Sequence, residues 1–198
     1  MVMAAVKLDQ KNEVNLKSLG VKDSKLLSPL LRERLFSQLT ESIKYKVIII
    51  SPKKIDEALA SKSLNLNWLE ACIAAELINS IKPDKVILDC PSNNINAFRD
   101  YVEKKLKFRV ELIAEHKADL NHPVVAAASI IAKVTRDNEI NKLKRQYNVD
   151  FGSGYPSDPL TRQFLEKNFD KFDFFRKSWV SYQRVAKVSK QSALSSFD

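Results

Sequence analysis

Glycine is scarce, with three residues in 198. That excludes the glycine-rich loops with which a P-loop or a G-x-G-x-x-G turn cradles phosphate, because such loops need several closely spaced residues without a side chain. Cysteine is scarcer still: Cys72 and Cys90 stand alone, each in an apolar stretch. Two thiols without close spacing exclude a disulfide framework or a zinc ribbon and read as reduced packing residues. No apolar run approaches the roughly 20 residues that span a bilayer. The opening MVMAAVKLDQ also lacks the basic start and small-residue cleavage site of a secretory signal. The expectation is a cytoplasmic protein with no membrane partner. No internal repeat is present.

What remains is an ordinary folding composition, 44% hydrophobic and 29% charged, long enough for one domain and a short appendage. Charge is unbalanced: 33 Lys and Arg against 24 Asp and Glu give a net charge of +9. A basic excess of this size favours polyanion partners, since each phosphate neutralised releases condensed counterions.

The pattern alternates strand and helix. Val2 to Leu8 reads as a strand, and Ser28-Pro29 as a hydroxyl N-cap with proline at the first helical position. Leu31, Leu35, Leu39 and Ile43 then recur at helical spacing. Tyr45 to Ile50 reads as a buried strand, Pro52 opens a second helical region, and Trp68 to Ile81 is a strong helix. Val86, Ile87 and Leu88 form a strand ending at Asp89. Ile95 to Leu106 reads as an amphipathic helix, Phe108 to Ala114 alternate as a strand, and a long helix runs from Pro123 to about Tyr147. This order indicates an α/β layered domain. From Lys187 onward the polar, serine-rich KVSKQSALSSFD suggests a flexible tail.

Two carboxylates stand where ligands usually bind in open α/β sheets, beyond the carboxyl ends of strands: Asp89 ends one strand and Asp119 closely follows the next. Brought together they repel unless a cation lies between them, and magnesium or manganese prefers oxygen donors. The plainer alternative is that both cap strand ends or helices. His116 and Lys117 read as packing and solvated residues. GSGYPSDP is the most unusual local sequence. Gly152 and Gly154 permit a tight turn or close approach to a ligand, and Tyr155, held before Pro156, can stack on a sugar or base and sense a 2′-OH. A surface turn with a buried tyrosine fits equally. Ser24, between Lys22 and Lys25, offers a phosphate contact.

DSKLL, NLNWLEA (65–71), DCP (89–91), EHKAD (115–119), VVAAASIIAKVTRD (124–137), GSGYPSDP (152–159) and RKSW (176–179) occur in the order found in ribonuclease HII. Over roughly residues 1 to 180 the chain resembles the archaeal form of that family. The resemblance implies an RNase H-like mixed sheet flanked by helices, with a helical C-terminal region. It implies an endonuclease that hydrolyses the RNA strand of RNA–DNA hybrids and ribonucleotides embedded in DNA, leaving a 5′-phosphate. Four carboxylates hold two divalent cations, Mn or Mg, in that family. Asp89 and Asp119 would be the third and fourth. Tyr155 would read the ribonucleotide, with Gly152, Ser153 and Gly154 against the substrate, and Ser24 and Lys25 near the nucleic-acid backbone.

One departure stands out. The family's first strand ends in G-I-D-E-A-G-R-G, which supplies the first two carboxylates, and this sequence holds no such motif. MVMAAVKLD resembles the strand that follows it. The expectation is therefore a sheet without its first, central strand, a missing segment upstream of Met1, unpaired strand edges, and a chain inactive as written. Gln191, Leu194 and Phe197 form Q-x-x-L-x-x-F, resembling the peptide that docks on the replication sliding clamp, although Asp198 replaces the final aromatic. The expected organisation is a catalytic domain over 1–147, a substrate-contacting region over 148–186 and a tail over 187–198, in a monomer. The competing expectation is a catalytically dead homologue that binds nucleic acid and the clamp.

Overall fold

A computed structural model describes residues 1–9, 16, 18–21, 27–61 and 64–194. Its elements are β1 (Val2–Lys7), α1 (Pro29–Ser42), β2 (Lys44–Ile49), α2 (Pro52–Ala60), α3 (Leu66–Ile81), β3 (Lys85–Asp89), α4 (Ile95–Glu103), β4 (Glu111–Glu115), α5 (Ala118–Asn121), α6 (Pro123–Tyr147), α7 (Pro159–Asn168) and α8 (Val180–Leu194). The helix starts are written locally. The Ser28 hydroxyl accepts from the Leu31 amide ahead of Pro29, and Ser51 and Asn65 cap α2 and α3 in the same way. The chain forms two compact units, one of residues 2–49 and 65–136, the other of residues 50–64 and 137–198 with Met1.

The first unit contains all four strands. β1 pairs antiparallel with β2, Val2 opposite Ile49, and β3 pairs parallel with β4, Val86 opposite Leu112. Neither pair carries a third strand among the described residues, so β1 and β3 each keep an edge with no strand beside it. Two cores flank the strands. Leu35 and Leu39 of α1 meet Ala126, Ala127, Ile130 and Ile131 of α6, with Ala4 and Val6 of β1 against them. Ala71, Ala74 and Ile78 of α3 meet Val86, Phe98, Val102 and Leu112, and here Met3 joins them. Successive β1 residues therefore pack on opposite faces, which explains why VMAAV is continuously apolar. Fully buried Phe98, Leu35, Leu39 and Ile130 each contribute about 2 kcal/mol of apolar burial.

Three sequence expectations change. β2 is not a buried strand: Lys44, Tyr45 and Lys46 are exposed and Ile49 is half exposed. It pairs with β1 alone among the described residues, so its apolar residues find a partner on one side only. The strand expected from Phe108 is confined to Glu111–Glu115, because β3 offers a partner over that length alone. The helix α8 runs to Leu194, so residues 187–194 are helical where their polar composition suggests an irregular tail.

The second unit is organised around rings. Phe151, Phe164, Phe172, Phe174 and Phe175 lie with centroids 4.9–6.5 Å apart, and Tyr147 meets Phe172 and Phe174 edge-on. The Tyr147 hydroxyl donates to Asp173 at 2.7 Å. This aromatic cluster replaces an aliphatic core for the short C-terminal helices.

Candidate active site

Parallel pairing puts Asp89 in register with Glu115, the last residues of β3 and β4, so two carboxylates leave the sheet side by side. The chain then reverses through His116 and Lys117. Lys117 adopts φ 56°, a left-handed backbone that a side chain tolerates only where the surroundings impose it. One consequence is direct: the Ala118 amide donates to Asp89 Oδ1 at 3.2 Å. Asp89 thus grips the backbone immediately before Asp119, so both residues are held at the same strand end. Asp119 is 5% exposed, the single buried charged side chain among the described residues.

The neighbours have other tasks. Glu115 Oε1 accepts from Asn121 Nδ2 at 3.1 Å and lies 2.9 Å from His122 Nε2, an ion pair whenever that imidazole is protonated. His116 Nδ1–H donates to the Cys90 carbonyl at 3.0 Å, and the Cys90 amide donates to the Glu115 carbonyl at 2.9 Å, which extends the strand ladder by one bond. The Cys90 thiol is buried and donates to the Ser92 carbonyl. Burial pushes its pKa up, and the Asp89 charge adds to this against the Ser92 bond. It is a packing thiol rather than a nucleophile.

A divalent cation fits these donors in kind. Both are carboxylate oxygens, and magnesium is commonly held by one or two carboxylates while waters and substrate phosphates complete its sphere. Among the described residues no three His, Cys, Asp or Glu side chains gather as a metal cluster. Asp89 and Asp119 are the residues here that could hold such an ion, in kind and in number.

The GSGYPSDP loop lies in the second unit. Gly152 and Gly154 take φ 70° and 72°, where a Cβ is strained. The Gly152 amide donates to Asp150 Oδ1 at 3.0 Å, and Lys144 Nζ sits 2.8 Å from the same oxygen; both hold the Asp150 carboxyl below its usual range, Lys144 most strongly. Asp158 accepts the amides of Ser153 at 2.6 Å and Leu160 at 2.9 Å. The Ser153 amide is the largest cause that brings the Asp158 carboxyl down to about 2. Tyr155 is 38% exposed, so it is no buried turn residue.

The remaining expected residues divide. Ser24, Lys25 and Phe197 lie outside the described residues. Gln191 is exposed on α8, and Leu194 is the helix's last residue. Sequence reasoning passed over Asp158 and Thr161, although Asp158 before Pro159 is a helix-start signal. It also passed over Asp56, whose oxygens accept the Lys177 and Ser178 amides of RKSW at 2.8 and 2.9 Å. No local signal marks Asp56, because its partners are 121 and 122 residues away.

The mixed α/β architecture is that of the RNase H-like structures it superposes on. The solved structure of ribonuclease H2 from Pyrococcus horikoshii OT3 superposes with a TM-score of 0.81 at 39% identity, covering 94% of this chain and 98% of that one. The family model described as ribonuclease HII matches residues 1–182. Ribonuclease HII of Pyrococcus furiosus is 44% identical over 197 residues, 96% of this chain and 86% of that protein. A ribonuclease HII of Archaeoglobus fulgidus, solved in complex with PCNA, gives a TM-score of 0.77 at 40% identity, covering 85% of this chain and 78% of its own. The chain belongs to the ribonuclease HII family. Its enzyme class is that of a metal-dependent endoribonuclease, a hydrolase. Among the described residues no helix is long and apolar enough to cross a membrane.

Proposed function

We propose that the chain is an endonuclease of the ribonuclease HII type, acting in the cytoplasm on the RNA strand of RNA–DNA hybrids and on ribonucleotides embedded in DNA, and leaving a 5′-phosphate. The observation that carries this reading is the bond from the Ala118 amide to Asp89, which joins Asp89 and Asp119 at one strand end in a chain of this family. Asp89 and Asp119 hold divalent metal, Mn²⁺ or Mg²⁺. Metal of this kind, when bound, activates water and stabilises the leaving oxygen of a phosphodiester, in the family by a pair of ions. Asp89, fixed by the Ala118 amide, keeps its second oxygen for the ion, and Asp119 brings a carboxylate whose burial strengthens its attraction for a cation. Tyr155 reads the ribonucleotide, with Gly152, Ser153 and Gly154 beside it and Ser24 and Lys25 on the nucleic-acid backbone. Residues 1–147 form the catalytic domain, 148–186 contact substrate and 187–198 carry the clamp peptide, in a monomer. The PCNA complex of the Archaeoglobus relative supports Gln191, Leu194 and Phe197 as sliding-clamp contacts.

A second reading is a basic homologue that binds hybrid duplex and clamp without cutting. The sequence holds no G-I-D-E-A-G-R-G, and two carboxylates are half the family's set. One experiment separates the two. Cleavage and binding of a duplex containing one ribonucleotide are measured with Mn²⁺ or Mg²⁺, for the wild-type chain and for Asp89→Asn. Cleavage that disappears in Asp89→Asn with binding retained supports the nuclease. Undiminished cleavage by Asp89→Asn overturns the site assignment. Tight binding by the wild type with no cleavage under either metal supports the second reading.

A further inference from the structure

We propose that Asp158 and Thr161 are positioning residues that hold the glycine turn in the shape that presents Tyr155. Discrimination between ribose and deoxyribose then depends on two side chains that need not touch the sugar. The inference rests on the reading of Tyr155 given above.

Two amides and two carbonyls of the turn are held from the start of α7. The Ser153 amide donates to Asp158 Oδ2 at 2.6 Å, and the Ser153 hydroxyl bonds the same carboxylate. The other Asp158 oxygen caps α7 through the Leu160 amide. The Thr161 hydroxyl accepts the Gly154 amide at 2.9 Å and donates to the Phe151 carbonyl at 2.8 Å, so it spans the turn. From the opposite side Asp150 takes the Gly152 amide. The Asp158 amide donates to the Tyr155 carbonyl at 3.0 Å and closes the segment, while Pro156 restricts the backbone just after the tyrosine.

Two further observations point the same way. A Cβ on Gly152 would stand 2.5 Å from Asp158 Oδ2 and 2.9 Å from Leu160 Cβ, so the glycine exists to let this carboxylate approach. A carboxylate gathered on four protein donors is a clamp already satisfied within the loop rather than a group awaiting a ligand. A turn fixed before binding spends no binding free energy on ordering itself, which is the condition for a single hydroxyl to discriminate.

The test uses the full chain in EDTA, so that no cleavage intervenes. Fluorescence anisotropy gives the affinities for a DNA duplex with one ribonucleotide and for its all-DNA counterpart, and amide hydrogen exchange is followed at Ser153 and Gly154. The variants are Tyr155→Phe, Asp158→Asn, Thr161→Val and Thr161→Ser. Asparagine remains a good N-cap, so α7 keeps its start while the clamp loses one of two acceptor oxygens. The expected result is exchange at least about tenfold faster at Ser153 in Asp158→Asn and at Gly154 in Thr161→Val, from loss of a hydrogen bond. The ribonucleotide preference should fall to the Tyr155→Phe level in both, with all-DNA affinity within about twofold of wild type and Thr161→Ser restoring both readouts. If Tyr155→Phe loses the preference while Asp158→Asn and Thr161→Val keep it, the positioning role is overturned and the Tyr155 reading stands. A preference that survives Tyr155→Phe, or one absent from the wild type, overturns the Tyr155 reading and the positioning role with it.

Discussion

At the residue scale, single side chains, and in one place the lack of one, set the local geometry. Asp89 accepts the Ala118 amide and so fixes the turn that leads into Asp119. Of the two readings open from sequence, the structure shows the cap, and the cap uses one of the two carboxylate oxygens, which leaves the proposed ligation compatible with it. Gly152 is the converse case, since its role is to leave space. Gly152→Ala would place a Cβ at positive φ against both Asp158 and Leu160. It should lower global stability by about 1–3 kcal/mol, read from urea unfolding. Unchanged stability would show that the α7 start can retreat to admit a methyl group.

At the element scale, helix starts and strand edges behave differently. The helix starts are local: Ser28, Ser51, Asn65 and Asp158 each cap within three residues, which is why Ser28-Pro29 could be read directly. Asn65 caps α3, the helix that packs Ala71, Ala74 and Ile78 against Val86 and Phe98. Asn65→Ala should cost about 1 kcal/mol, with Asn65→Ser recovering most of it, measured as a shift in the denaturation midpoint at constant m-value. A loss within error would mean that packing of the α3 face alone positions the helix. Strand character is less local. The apolar run from Tyr45 to Ile50 gives a strand but cannot tell a central strand from an edge one, and β2 proves half exposed.

At the scale of the whole molecule, charge sets the terms of association. With +9 distributed over 198 residues, hybrid binding should be dominated by phosphate contacts and counterion release. Affinity for an RNA–DNA hybrid should fall roughly tenfold or more between about 50 and 200 mM salt, with log K linear in log salt. Anisotropy titrations across that range check it; a flat dependence would mean that the basic excess is not directed at the duplex. The strands matter at this scale too. Two pairs, each with an edge that has no strand beside it among the described residues, share the α3 side through Met3 of β1 and Val86 of β3.

The amino-acid sequence by itself determined the alternation of strands and helices, the capped helix starts, the long α6, the basic charge and the family. All of these rest on spacing, charge or local hydrogen bonding, which are one-dimensional quantities. It also marked Asp89, Asp119 and Tyr155, because unusual residues at strand ends and in glycine turns are visible in a string. Tertiary structure alone decided that Asp89 reaches the Ala118 amide 29 residues on, that Glu115 is drawn to Asn121 and His122, and that Asp56 holds the RKSW turn. Those choices depend on parallel register and on which backbone amides are left exposed when elements meet, and neither is encoded within reach of the residues concerned.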